Sequence, residues 1–304
     1  MPMGLPRLGR VCLCLLVAGL APLGALHATD DIAPQWRFVH NAPETEGDQR
    51  YAYHWRVLRA ALEVTRSKYG DYRLEPGRPM SEKLQVIDMQ RPQVGLNTLV
   101  LDATQTLEEA LLPVKIPVDK GLLGYRVFLI QAADQPRFAG VQSLEQLRQL
   151  RFGQQREWSD VAVYQVAGLP VVTGSSYEGL FHMLMLRRFD AFGRGVSEVS
   201  GELAHWRKKY PQMAIESELL LYYPLPVYFW FARTDEGRIR ARRVEEGMHT
   251  LMADGTLDRL FAEEYAATIE QLGLDRRRML MIANPHLSSN HPFDKAAYWF
   301  TPTP

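Results

Sequence analysis

Cysteine is almost absent from this chain. Of its 304 residues only Cys12 and Cys14 are cysteine, and both lie in one short apolar run near the start. The rest of the sequence therefore forms neither disulfides nor thiolate metal sites. An excess of charge is missing too: 35 Lys and Arg face 35 Asp and Glu. That balance excludes the strongly basic face that nucleic acid requires. After the N-terminal run, no stretch is long and apolar enough for a transmembrane helix. There is also no Gly-x-Ser-x-Gly elbow, no His-Glu-x-x-His pair and no phosphate loop. What is there is a 46% hydrophobic chain, enough for real cores, with six Trp and thirteen Tyr. Aromatic rings with polar tips suit both cores and wet ligand clefts.

Arg7 and Arg10 are the only charges before Asp30, and an uncharged run, Val11 to Leu26, follows them. A basic start, an apolar stretch and small residues form the pattern of a secretory leader. Gly19, Pro22 and Gly24 break the run, which argues against an uncleaved anchor. Cleavage is expected after Ala28, giving a signal peptide over residues 1–28 and a periplasmic product. Both cysteines leave with it, neither offers a plausible lipid-anchored start, and the remaining formal charge is −2.

Downstream, strands and helices alternate. The pattern predicts strands at Trp36–Val39, Tyr72–Glu75 and Val94–Leu101, with helices at Tyr53–Lys68 and Ser81–Gln90 between them. After an extended Pro113–Pro117, an apolar strand at Tyr125–Ile130 precedes a short helix over Ser143–Leu150, capped by Ser143. The alternation then restarts: strands at Arg151–Gln154, Leu169–Val172 and Asp190–Phe192, helices at Ser159–Ala167 and Ser176–Arg187. An aromatic run spans Leu219–Phe231, and helices are predicted at Ile239–Ala253 and Leu257–Tyr265. Such alternation argues for parallel α/β layers, here in two units.

Three stretches carry a resemblance. Ser143-Leu144-Glu145-Gln146-Leu147 followed by Arg151-Phe152-Gly153-Gln154 is one, and Tyr177-Glu178-Gly179-Leu180 through Arg188-Phe189-Asp190-Ala191-Phe192 is another. The third is Met248 to Tyr265 with its Ala253-Asp254-Gly255-Thr256-Leu257 turn. In this order they resemble the family 3 extracellular (periplasmic) solute-binding proteins, the amino-acid-receptor type. Asp48-x-Arg50-x-x-Tyr53, Lys120 to Arg126, and Trp158-Ser159-Asp160 are similar to an uncharacterised branch of it. The resemblance implies a two-lobed, type II periplasmic-binding-protein-like α/β fold with a ligand cleft between the lobes. Residues 29–128 plus 226–304 would form lobe one and 129–225 lobe two, with hinge crossings at Tyr125–Ile130 and Tyr222–Phe229. The implied role is capture of a small-molecule ligand by a monomer, for a membrane permease or a receptor domain, without cofactor or metal.

The departures bear on the ligand. Where such receptors usually carry a Thr-Pro-x-Arg motif for the ligand carboxylate, this chain has Thr106-Leu107-Glu108-Glu109. Their Gly-Thr/Ser pair is represented only by Ser159, and the acid that binds an α-ammonium falls among Gly193-Arg194-Gly195. With Arg194 as a guanidinium clamp, a small anionic ligand is expected rather than a standard α-amino acid.

Ligand sites in such folds gather at strand carboxyl ends and helix N-termini. His40 and Glu44 follow the first strand, Ser159 opens a helix beside Trp158, and Ser175 and Ser176 open the next. Arg194, Ser159 and Ser176 would supply donors, Tyr53 and Trp158 apolar walls, and Arg126 would fix the hinge. As plain structural residues, the serines would only cap helices, Trp158 would pack, and Arg194 would pair with Glu198. His286 and His291 are expected to be surface residues rather than metal ligands. Two other classes stay open: a lyase or dehydratase on the same scaffold, and a ligand-free signalling adaptor.

Overall fold

The computed structural model describes residues 36–42, 50–91 and 95–302. The expected signal peptide and Glu44 lie outside the described residues. Strand β1 (Trp36–His40) leads into helices α1 (Ala52–Val64) and α2 (Arg66–Tyr69). These replace the single expected helix, and the break falls at Thr65. Its hydroxyl donates to the carbonyls of Ala61 and Leu62, a local bond that competes with helical geometry. β2 (Tyr72–Pro76), α3 (Glu82–Met89), β3 (Leu99–Asp102), α4 (Gln105–Ala110) and β4 (Leu112–Val114) follow.

Next come β5 (Tyr125–Gln131), α5 (Gln135–Ala139), α6 (Leu144–Leu147), β6 (Phe152–Gln155) and α7 (Asp160–Val166). β7 (Val171–Gly174), α8 (Tyr177–Met185) and β8 (Ala191–Gly195) run directly into α9 (Val196–Trp206). The chain then forms β9 (Met213–Ile215), β10 (Leu219–Tyr222), β11 (Val227–Phe231), α10 (Asp235–Ala253), α11 (Thr256–Leu272) and β12 (Arg278–Met281). Helix α9 goes beyond the sequence expectation. Val196, Val199, Leu203 and Trp206 do follow helical spacing and pack on the core. The helix starts at Gly195 with no intervening loop, so it reads as a continuation of the strand.

Three sheets organise the described residues. β1 and β2 pair in parallel, and β3 and β4 flank β11 antiparallel. A parallel bridge between His40 and Thr98 links β1 to the segment entering β3. The large sheet has the order β12-β10-β5-β8-β6-β7, with β9 beside β5. It is mixed rather than parallel, because β5 runs antiparallel to both β8 and β10. β5 therefore lies wholly within the large sheet, whereas β11, only a few residues after β10, belongs to the small one.

Helix α10 lies against α1, and their contact depends on one missing side chain. A Cβ on Gly247 would stand 2.3 Å from the carbonyl oxygen of Ala61. Nearby, the buried Arg243 donates to the carbonyls of Leu62 and Gly70, which the ends of α1 and α2 leave without helical partners.

The C-terminal segment packs on the body. The Phe300 N–H donates to Lys120 (2.7 Å), and the Tyr125 hydroxyl donates to the Phe300 carbonyl (3.1 Å). His291 is not a surface residue as expected. It is buried, 2.8 Å from Glu108 and 3.0 Å from the Tyr228 hydroxyl. His286 is half-buried. No helix among the described residues is long and apolar enough to cross a membrane.

Gly247→Ala is expected to lower unfolding free energy by about 1–3 kcal/mol, since backbone must shift to admit the methyl group. Gly201→Ala, at an exposed position of α9 with nothing within 4 Å of the added Cβ, should be neutral or stabilising by up to about 1 kcal/mol. Urea titration of both variants measures the contrast.

Candidate functional site

The strand ends bring charge to one place. Asp102 ends β3 opposite Val227, and the Val118 N–H donates to the Val227 carbonyl from the other side (2.9 Å). The small sheet thus sets Asp102 and Asp119 on either side of β11. The large sheet contributes Arg126 at the start of β5, with Arg194 on the neighbouring β8 and Glu198 in the first turn of α9. All five residues, with Asp160 and Trp158, line a cavity of about 70 Å³ between the sheets.

Two buried arginines dominate one wall. Arg126 is bonded to Asp160 and to the Tyr223 hydroxyl (2.8 Å), and Tyr223 also donates to Asp160. Burial works against the Asp160 carboxylate, but Arg126 and the Tyr223 bond outweigh it and hold its pKa below the usual value. The Arg126 Nη1 makes no hydrogen bond among the described residues and lies 3.7 Å from Glu198. Arg194 is 1% exposed, and its Nε and Nη2 donate to Glu202 at 2.7–3.0 Å. Its Nη2 is also 3.0 Å from Glu198. The guanidinium carbon lies 4.7 Å from the Trp158 ring centroid. Burial alone would favour a neutral Arg194, yet Glu198 and Glu202 raise its pKa above the ordinary arginine value. The fork assigned to an incoming anion is thus taken by the chain's own carboxylates.

Asp102 and Asp119 stand differently. No Lys or Arg among the described residues pairs with either. Asp102 accepts a bond from the Ser159 hydroxyl (2.5 Å), while Asp119 accepts the N–H groups of Gly121 (3.0 Å) and Leu123 (2.9 Å). Burial pushes the Asp102 carboxyl up to about 6, with Ser159 opposing and Asp160 assisting the shift. Burial likewise raises Asp119 to about 6, against the two N–H donors. His54, on the same cavity, is held neutral, its pKa lowered to about 4 by burial.

The expected site residues separate into three groups. Trp158 and Arg194 line the cavity, and Ser159 joins it through Asp102 instead of capping α7. Ser175 and Ser176 face a neighbouring cavity, where Ser176 also caps α8 by accepting the Gly179 N–H (3.2 Å). His40 and Tyr53 line neither cavity. His40 is buried and stacks on Trp55 at 4.0 Å, and the Tyr53 hydroxyl donates to the Val118 carbonyl (3.1 Å). Glu44 lies outside the described residues. Sequence reasoning missed Asp102, Asp119, Asp160 and His54. An acid ending an apolar strand, as in Leu99-Val100-Leu101-Asp102, was the available signal. No group of three or more metal-ligating side chains occurs among the described residues.

No family model matches the sequence, and no curated protein matches it by sequence either. Solved structures do match in fold. An arginine-specific periplasmic binding protein from Salmonella typhimurium aligns at 14% identity with a TM-score of 0.53, over 76% of this chain and 98% of that one. An amino-acid ABC transporter substrate-binding protein from Streptococcus pneumoniae, bound to L-arginine, aligns at 13% identity and a TM-score of 0.54, over 76% and 94%. A periplasmic His/Glu/Gln/Arg/opine family-binding protein from Silicibacter pomeroyi, in complex with lysine, gives 9% identity and a TM-score of 0.52, over 76% and 96%. At these identities the likeness shows the fold: α/β and two-lobed, the type II architecture of amino-acid-receptor periplasmic binding proteins.

Removing Arg194 would strand Glu202 and Glu198 without their cation. Arg194→Met is expected to cost about 3–5 kcal/mol of stability, the range for breaking a buried ion pair. Arg194→Met combined with Glu202→Leu should recover most of it, as urea unfolding of the single and double variants will show.

Proposed function

We propose that this protein is an exported, monomeric solute-binding protein that captures a small cationic ligand of the basic amino-acid kind between two lobes. The observation that carries this reading is the pair Asp102 and Asp119: two carboxyl groups on one cavity, neither ion-paired with a cation among the described residues. A carboxylate held in such a place favours an ammonium or guanidinium partner. An anionic ligand would instead compete with Glu202 and Glu198 for Arg194. Neighbours in fold that hold L-arginine or lysine support the same choice.

In this reading one lobe is built on the two small sheets and the other on the large sheet. The chain crosses between β4 and β5, between β10 and β11, and once more before β12, which pairs with β10; the expected lobes of 29–128 plus 226–304 and 129–225 would then exchange β12. Ser159 on α7 donates to Asp102 on β3, so one hydrogen bond spans the two lobes beside the ligand cavity. Closure on the ligand is the working motion, and the closed form presents its surface to a membrane permease or a receptor domain. The leader over residues 1–28 would place this capture in the periplasm.

Isothermal titration calorimetry of the purified protein against L-arginine, L-lysine, L-glutamine and succinate tests the reading. Binding of the basic amino acids is expected, weakened about tenfold or more in Asp102→Asn, as loss of one charge-assisted bond implies. Tighter binding of succinate than of either basic amino acid would overturn it. The pH dependence has a definite sign. Protonating Asp102 and Asp119, each with a pKa raised to about 6, removes the negative charges that a cation needs. Affinity should therefore hold above pH 7 and fall as pH drops through about 6, and binding near pH 6 should release protons.

A further inference from the structure

The two ends of the large sheet carry different chemistry. The cavities sit toward the carboxyl ends of β6, β7 and β8, where Gln155, Ser175 and Arg194 lie. At the opposite end Arg151 and Asp190 lead into β6 and β8, and the antiparallel β5 finishes at Gln131 beside Met213. Helices α8 and α9 also finish there, side by side. Phe181 stacks on Trp206 with ring centroids 4.6 Å apart, and His182 Nδ1 lies 3.1 Å from the Tyr210 hydroxyl. The Gln131 amide donates to the carbonyls of Leu184 (3.1 Å) and Met185 (3.2 Å), tying the end of α8 to the end of β5. Residues 186–188 and 206–210 therefore belong to one surface.

The charge of that surface is one-sided. Asp190 takes Arg137 and Arg151, and Asp134 takes Arg187. Arg188, Arg207, Lys208 and Lys209 are exposed, and none has an ion-pair partner among the described residues. A cation at a helix C-terminus offsets the partial negative charge there. Two helix ends account for one such charge each, not for four. The excess is local, because the whole chain balances 35 cations against 35 acids.

Apolar and amphipathic groups accompany the cations. Leu186 is 54% exposed. The Lys209 ammonium lies 5.3 Å from the Tyr210 ring centroid and 6.0 Å from that of Trp206, and both rings are half-buried. Long basic stems beside Trp and Tyr suit the boundary of a bilayer, where rings sit at headgroup level and charges meet phosphate. No hydrogen bond among the described residues fixes the four cationic heads, so they fit a fluid array of phosphates better than one shaped acidic site.

We propose that this end of the large sheet is a docking surface for an anionic phospholipid bilayer, on which the protein rests with its ligand cavities at the far ends of the strands. The surface is separate from the cavities, and the inference stands whichever ligand they hold.

Sedimentation of the purified protein with vesicles tests it, comparing phosphatidylcholine alone with equal parts phosphatidylcholine and phosphatidylglycerol. Wild type is expected to bind the anionic vesicles about tenfold or more tighter than the neutral ones, and to loosen as salt screens the exposed charges. Each Lys or Arg at such a surface contributes about fivefold. Arg188→Gln should thus weaken binding about fivefold, and the triple variant Arg207→Gln, Lys208→Gln, Lys209→Gln about a hundredfold, each with the urea midpoint of wild type. A second triple variant, Arg59→Gln, Arg73→Gln, Arg242→Gln, removes the same charge from exposed positions on α1, β2 and α10 and should bind as wild type does. Equal binding of wild type to both kinds of vesicle overturns the proposal and leaves the surface to an acidic protein. Equal loss in the two triple variants also overturns it, since overall charge would then be responsible.

Discussion

The interior of the cleft depends on how two buried guanidinium groups are neutralised. Arg126 and Arg194 sit on adjacent strands, at 2% and 1% exposure, and each has carboxylates within bonding distance that offset the cost of burying its charge. Asp160 answers the first and Glu202 the second, while Glu198 lies 3.7 Å from one and 3.0 Å from the other. This arrangement fixes the start of α7, the start of α9 and the middle strands of the large sheet against one another. It also settles the charge of the cleft. Once Asp160, Glu198 and Glu202 have met the two arginines, Asp102 and Asp119 are left over. Arg50 and Glu82, which also line the cavity, add one charge of each sign.

That surplus is the reason the proposed ligand is a cation where the sequence suggests an anion. Read as letters, Gly193-Arg194-Gly195 places a cation where related receptors carry an acid, which suggests an anionic ligand. The missing information was three-dimensional. Glu198 and Glu202 lie one and two turns into a helix that begins at Gly195, on the face turned toward the Arg194 side chain. Because α9 was not anticipated, its two acids could not be set against the arginine. The pairing of Arg194 with Glu198, entertained from spacing alone, is present, and Glu202 completes it.

The fold was far more legible than the site. Alternating apolar strands and amphipathic helices depend on local periodicity, and most observed elements begin or end within a few residues of the expected bounds. Where they did not, a tertiary partner decided the outcome. β9 and β12 are short edge strands that exist because β5 and β10 offer them hydrogen-bonding edges. Of the expected site residues, those at helix starts in the large-sheet region, Trp158, Ser159, Ser175 and Ser176, do gather at the cavities or on their rim. Those argued from the first strand and helix do not. His40 is drawn onto Trp55 and Tyr53 into the core, because an aromatic ring next to an apolar face gains more from burial than from lining a wet cleft.

Asp102 and Asp119 oppose the rest of the structure. Arg126 and Arg194 have each been given a charged partner, and Glu198 stands beside both. The two aspartates have a hydroxyl and backbone N–H groups, enough to satisfy some lone pairs and too little to compensate a full negative charge. Both acids consequently hold their protons to about pH 6. A chain selected for stability alone would replace them with Asn or Leu, since an uncompensated buried carboxylate costs free energy and contributes no packing. Local conflict of this kind, inside a framework that is otherwise consistent from strand pairing to side-chain pairing, is what a binding site looks like before its ligand is named.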